Sequence, residues 1–220
     1  GFGDGDVRLL QGLAASAAVA LENSALLAER RQAARALRES EALKASVLAS
    51  AACGIVATDR QGLITVFNPG AEAIFGYVAE EVVGKVTPML WHDADEIAAV
   101  AAVNRDLGLP AATGFDALVA RARSSGEADE REMTGVRKDG CRIAIRLAVT
   151  VMHDAQGALA GYLGTIVDIT AQKQAAAQLD LAAKVFEQGG EGIAITDAAC
   201  NIVMINQAFT RITGYSEVEV

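Results

Sequence analysis

Two histidines, three cysteines and one acidic cluster are the side chains in this 220-residue sequence that could hold a metal or supply a nucleophile. His92 stands beside Asp93, with Asp95 and Glu96 following, a donor set able to take a divalent cation. The same acids are what a helix start attracts, because its unpaired backbone N–H groups favour negative charge, and capping is the preferred reading. A His-Asp pair of the metal-dependent phosphohydrolase kind needs further, distant histidines. The second histidine instead falls in a predicted surface turn, His153-Asp154-Ala155-Gln156-Gly157. A kinase phosphoacceptor sits on a long helix and is followed by an acid and soon a proline, which neither histidine satisfies. Cys53, Cys141 and Cys200 are isolated, odd in number and without CxxC spacing, so neither a disulfide framework nor a zinc site is supported. Glycine-rich phosphate loops and nucleophile elbows are missing from the sequence. No catalytic residue and no metal ligand is assigned, and this stretch is expected not to be an enzyme.

Composition narrows the partners. A formal net charge of −9 repels phosphate backbones and anionic lipid, which argues against nucleic acid and against direct membrane contact. The sequence has no run of 18 apolar residues and its start lacks a basic n-region, so a cytoplasmic location is expected.

The elements that would position any site follow from a repeat. Residues 54–82 recur without a gap as 192–220, at an offset of 138, and eleven of the 29 aligned pairs are identical, among them Gly54/Gly192, Thr58/Thr196, Asp59/Asp197, Asn68/Asn206 and Tyr77/Tyr215. A period this long means tandem whole domains rather than solenoid units, with the second copy expected to be truncated. From Leu13 to Cys53 neither glycine nor proline occurs, and alanine, leucine, glutamate and arginine predominate, which predicts one long helix. Leu26, Leu37 and Leu48 recur every eleven residues along it. A helix of about 40 residues spans roughly 60 Å, too long to lie on one small domain, so pairing with its copy in a second chain is expected.

Short β-type runs come next. Gly54 to Asp59 and Leu63 to Phe67 read as a hairpin, Asn68-Pro69 starts a helix that Gly76 ends, and Val78 to Val83 is a second short helix. Asp93 or Asp95 caps a third helix through about Leu107, and Phe115 to Ala122 is a fourth. Three strands are predicted at Glu130 to Val136, Arg142 to Met152 and Ala158 to Ile169, the first two joined through Asp139-Gly140. A second helix without glycine or proline then runs to Gln188, with Ala176, Leu179, Ala183 and Phe186 at coiled-coil spacing.

The residues Gly54-Ile55-Val56-Ala57-Thr58-Asp59, Asn68-Pro69, Phe75-Gly76-Tyr77, Glu80 to Gly84, Arg137-Lys138-Asp139-Gly140 and Asp168-Ile169-Thr170 together resemble a PAS domain. The resemblance implies an α+β PAS fold, with a five-stranded antiparallel sheet, short helices on one face and long coiled-coil-like signalling helices flanking it. Leu9 to Ala14 and Ala18 to Asn23 are similar to the closing helix of a GAF domain. The expected organisation is a GAF helix over 1–28, a helical linker over 29–47, a PAS domain over 48–170, a second linker over 171–188 and the start of a second PAS domain over 189–220.

PAS domains enclose ligands between sheet and short helices, which implies a candidate cage for a small molecule. It comprises Val56, Phe67, Phe75, Met89, Leu90, Trp91, Ile97, Phe115, Met133, Ile145, Leu147, Val149 and Ile166. The bland reading of the same residues is core packing. The cofactor is left unassigned. The stretch Val86 to His92 lacks the cysteine of a flavin-binding LOV domain, and His92 is the one candidate haem ligand, with a structural role preferred. Asp168, Ile169 and Thr170 are the implied relay into the following helix, and Leu37, Leu48, Leu179 and Phe186 the implied homodimer contacts. Such modules precede an output domain in the same chain, a histidine kinase of a two-component system or a cyclic di-GMP enzyme. The functional expectation is a sensory module that passes its ligand state to that output domain. The alternative is a ligand-free dimerisation and relay spacer.

Overall fold

The computed structural model describes residues 30–44, 46–216 and 219. Residues 30–44 and 46–50 are helical, and this element is named α1. The portion of the expected long helix before residue 30, and with it the GAF-like segment, lies outside the described residues.

The first hairpin forms β1 (Gly54–Asp59) and β2 (Ile64–Phe67). Asp59 closes it locally, its carboxylate accepting from the backbone N–H of Gln61 and of Leu63. Gly62 takes the left-handed φ of 87° that the turn requires. Helix α2 (Pro69–Phe75) begins where asparagine and proline place it. Asn68 caps its first turn by accepting from Ala71 N–H, and Gly76, at φ 77°, ends it. A short helix α3 (Ala79–Val82) and a 3-10 turn (Pro88–Trp91) lead to α4 (Ala94–Asp106). Its cap is Asp93, whose carboxylate accepts from Asp95 and Glu96 N–H and also pairs with Arg142 at 2.7 Å.

Helix α5 (Gly114–Ser125) precedes β3 (Asp129–Val136), β4 (Arg142–His153) and β5 (Leu159–Asp168). The sheet is antiparallel with order β2-β1-β5-β4-β3. Strand β5 thus runs down the middle, between the first strand and the long β4. Alternation on β4 turns Ile143, Ile145, Leu147 and Val149 to the buried face. Against that face pack Phe75, Val82, Trp91, Leu118 and Val119 from the helical side. The result is an α+β fold, a five-stranded antiparallel sheet with short helices on one face and helices α1 and α6 (Thr170–Gln188) flanking it. No residue of α6 is buried.

The repeat is structural as well as sequential. Strands β6 (Ala194–Thr196) and β7 (Ile202–Ile205) and helix α7 (Gln207–Thr213) reproduce β1, β2 and α2. Cys200 occupies the position of Gly62 and adopts φ 66°, a left-handed conformation that costs a residue with a Cβ roughly 1–2 kcal/mol.

Candidate functional site

The inner face of the sheet and the helical layer do not close completely on one another. They leave a cavity of about 30 Å³. Period-two alternation supplies its floor, with Val56 and Thr58 from β1, Leu147 and Val149 from β4, and Tyr162, Gly164 and Ile166 from β5. Pro88, Trp91 and His92 form one wall and Phe115, Leu118 and Val119 of α5 the other. Trp91 is held there by stacking on Phe75 at 4.7 Å between ring centroids and by a tilted contact with Phe67 at 5.6 Å. His92 is fixed through its backbone, which bridges Gly135 of β3.

Three residues of this lining, Thr58, His92 and Tyr162, carry a buried polar atom without a hydrogen-bond partner among the described residues: Thr58 Oγ1, His92 Nδ1 and the Tyr162 hydroxyl. Thr58 and Tyr162 face each other directly across β1 and β5. Tyr162 is further oriented by the Phe115 ring, edge-on at 5.5 Å. Burial pushes the His92 imidazole down to about 4, Glu96 pulling it up and Arg131 pushing it down in smaller measure, so the ring is neutral at pH 7. The carboxylate of Glu96 is itself engaged, accepting from the Thr134 backbone N–H at 2.7 Å and from the Thr134 hydroxyl.

Of the expected cage, Val56, Trp91, Phe115, Leu147, Val149 and Ile166 line the cavity, while Phe67, Phe75, Met133 and Ile145 are buried in the core around it. Met89 and Ile97 border a separate surface groove beside α4. Leu90 is a correction. It is 43% exposed, because the tight 3-10 turn that buries Pro88 and Trp91 sends the intervening side chain to solvent. On the outer face of β4, Arg146 pairs with Glu130 and Glu132, away from the cavity. Thr58, Tyr162, Leu118 and Val119 are additional lining residues. The alternation of β1 and β5 carried the signal for the first two. The volume is far below the roughly 300 Å³ where pockets for drug-sized ligands begin, and holds neither a haem macrocycle nor a flavin ring system. Among the described residues no three His, Cys, Asp or Glu side chains converge in a metal-binding group.

Strand β5 continues from the cavity into Asp168, Ile169 and Thr170. The Asp168 carboxylate accepts from Arg137 at 2.9 Å and from Thr170 N–H at 2.9 Å. Burial alone would raise its pKa, but the bonds from Thr170 and Arg137 together hold it below the usual carboxylate value. Ile169 is buried and donates its N–H to the Ala144 carbonyl, while Thr170 Oγ1 accepts from Ala144 N–H. The start of α6 is therefore fastened to β4.

The other end of α6 is fastened by Asn206. Its Oδ1 accepts from Ile193 and Phe209 N–H, and its Nδ2 donates to the carbonyls of Phe186 and Glu191. Asn68 makes the equivalent four bonds, accepting from Ile55 and Ala71 and donating to Leu48 and Cys53. Every partner is shifted by the repeat offset, so the same asparagine joins an incoming helix to a hairpin in both copies. This explains Leu48 and Phe186, two of the expected dimer contacts: both are half-buried at the joint. Leu37 and Leu179 are open to solvent at 60% and 73%.

Comparison with known proteins fits this geometry. A sequence model described as the PAS fold matches residues 42–169, and a second, described as a PAS domain, matches residues 181–220. No curated protein matches the sequence closely enough to be called a relative. Among solved structures, an RNA-binding light-oxygen-voltage receptor aligns at TM-score 0.50 and 18% identity, over 66% of this chain and 37% of that one. A PAS domain from Colwellia psychrerythraea aligns at TM-score 0.45 and 23% identity, over 59% of this chain and 96% of its own. A PAS domain of an HTR-like protein from Haloarcula marismortui aligns at 0.45 and 22%, over 64% and 99%. At these identities the likeness is one of fold.

Proposed function

This chain belongs to the PAS family, and from that premise we propose that its complete copy is a sensory module whose cavity state is passed through β5 to α6. The observation that carries the reading is continuity. Tyr162, Gly164 and Ile166 line the cavity on the same strand whose last residues fasten the start of α6. A small shift of β5 is then delivered to a helix with no buried residue of its own, and Asn206 hands it to the second copy. For an occupant to signal, it must bind two arrangements of α6 with different affinity, since equal affinity shifts no population.

The proposal includes a homodimer. Leu43 and Val47 of α1 and Leu181 and Val185 of α6 are exposed apolar residues one turn apart, at positions matched by the repeat offset. A solvent-facing stripe of this kind on two helices suits pairing with a second copy of the chain. It extends to a GAF module before α1 and a catalytic output domain farther along the chain. Within the described residues the work is binding and relay, and no described helix is long and apolar enough to cross a membrane.

The ligand-free spacer remains the competing reading, and the small cavity volume speaks for it. The three polar residues among its lining, Thr58, His92 and Tyr162, speak for the sensor. Gly164→Ala tests the reading without a ligand. A Cβ there meets Leu147 Cδ1 at 3.5 Å and Val56 O at 3.6 Å, ordinary contacts, so the methyl occupies cavity space without a clash. The expected result is altered hydrogen exchange at the Thr170 and Lys173 amides in a folded variant. Unchanged exchange there, with the cavity filled, would mean that α6 does not sense the cavity.

A further inference from the structure

Helices α4 and α5 and the edge strand β3 border a second recess, a groove of about 290 Å³ that shares no residue with the inner cavity. Its volume is close to the roughly 300 Å³ at which pockets for small organic ligands begin. Val103, 51% exposed, and Arg121, with a side chain 44% exposed, leave it open to solvent. Ala99, Val100, Val103 and Met133 supply its apolar surface. The two helices beside it are pinned together, because Asn104 Nδ2 donates to the Ala117 carbonyl at 2.8 Å, one turn before Arg121 on α5.

This end of the groove carries positive charge. Arg121 and Arg131 both line it, and both turn to one carboxylate, that of Asp129, Arg121 at 3.5 Å and Arg131 in closer contact. Two guanidiniums offer about ten N–H donors against about four acceptor sites on one carboxylate, so several donors and one charge are left over. The surplus is felt at Arg131, which burial first and the Arg121 charge second push down to about 10. The other acids of the lining do not offset it. Glu96 stands eight residues before Asn104, about 12 Å along α4, and both of its oxygens accept from Thr134. Glu132 turns its carboxylate to Lys173 at 2.7 Å and to Arg146 at 3.5 Å.

We infer that this groove binds a small aliphatic monocarboxylate, with its carboxylate at Arg121 and Arg131 and its chain along Val103, Val100 and Met133 toward Glu96. The planar fork of a guanidinium matches a carboxylate, and the apolar residues give the chain a surface to cover. A cation would meet the surplus charge of its own sign. A dicarboxylate would bring its second charge toward Glu96. The site stands apart from the inner cavity, and the inference does not depend on the sensor reading of that cavity.

The test is an NMR titration of the nitrogen-15-labelled 220-residue chain with hexanoate, against acetate, hexanol, hexylammonium and adipate. The expected result is saturable shifts of the Val100, Asn104, Arg131 and Met133 amides with hexanoate, and binding about tenfold weaker or less for each of the other four. Arg121→Gln removes the more open guanidinium. It should weaken hexanoate about fivefold and leave hexanol unchanged. Four results would overturn the assignment: hexanol or hexylammonium binding as tightly as hexanoate, shifts centred on Val56 and Tyr162 instead, equal hexanoate affinity in parent and variant, or no saturable shift. The comparison of probes is made on the parent protein, so a variant that failed to fold would leave the test intact.

Discussion

Trp91 and His92 are neighbours with opposite energetic roles. Trp91 is 1% exposed and packs on Phe75 and Phe67, so Trp91→Ala removes a large buried aromatic volume from the core. A loss of about 3–5 kcal/mol is expected, measured by denaturant unfolding at neutral pH, and a loss under 1 kcal/mol would contradict the packing described. His92 instead stores a pH dependence. Its folded value of about 4 lies below the unfolded value near 6.5, so the unfolded chain binds the extra proton first as pH falls. Its contribution to stability is complete above about pH 6.5 and is lost progressively down to about pH 4, by on the order of 3 kcal/mol. The carboxylates held low, Asp93 and Asp168, start from 3.8 and lose their contributions at lower pH, leaving the upper part of the window to His92. Unfolding free energy measured from pH 7 to 5 should slope downward in the parent and flatten in His92→Gln. An equal slope in both would show that His92 is not the group responsible.

At the scale of elements the decisive feature is the asparagine joint. Asn68→Asp keeps the Oδ1 acceptor for Ile55 and Ala71 but sets a carboxylate oxygen against the Leu48 and Cys53 carbonyls. It should therefore leave α2 capped while releasing the end of α1. Hydrogen exchange is expected to quicken over residues 46–50 with Ala71 still protected, at a cost of about 2–3 kcal/mol for the unpaired buried groups. Release of both ends together, or of neither, would contradict the division of roles. The asparagine and proline at the start of α2, the glycine at its end, the Asp-Gly turn and the alternation on β4 were all readable, because each is a local rule acting within a few residues. The 3-10 turn was not. Its three-residue period put Leu90 outside and Met89 away from the cavity, against an expectation that a run of apolar residues faces inward together. Helix α5 runs to Ser125, and its lining residues Leu118 and Val119 lay inside a segment read only as helical. Thr58 and Tyr162 escaped because the cage was sought among apolar types. Which polar residues meet a cavity depends on strand pairing, which no single strand specifies.

The whole molecule reads as a chain of joints: α1 into the first hairpin through Asn68, β5 into α6 through Asp168 to Thr170, and α6 into the second hairpin through Asn206. Exposed Leu43, Val47, Leu181 and Val185 would let two copies brace these helices against each other. Val47→Glu together with Val185→Glu should dissociate the proposed dimer in sedimentation velocity without unfolding the first domain, and an unchanged sedimentation profile would refute pairing through these helices. The central claim is that the cavity and the second copy are coupled through α6, and the native thiols offer a direct reading of it. Cys141 and Cys200 are exposed and lie in the first and second copies, while Cys53 is half-buried and can be removed as serine. The measurement is the distance distribution between spin labels on Cys141 and Cys200, in chains diluted with unlabelled protein, for Gly164 and for Gly164→Ala. A shifted or newly populated distance in the filled-cavity variant is predicted, and superimposable distributions from two folded proteins would contradict the account.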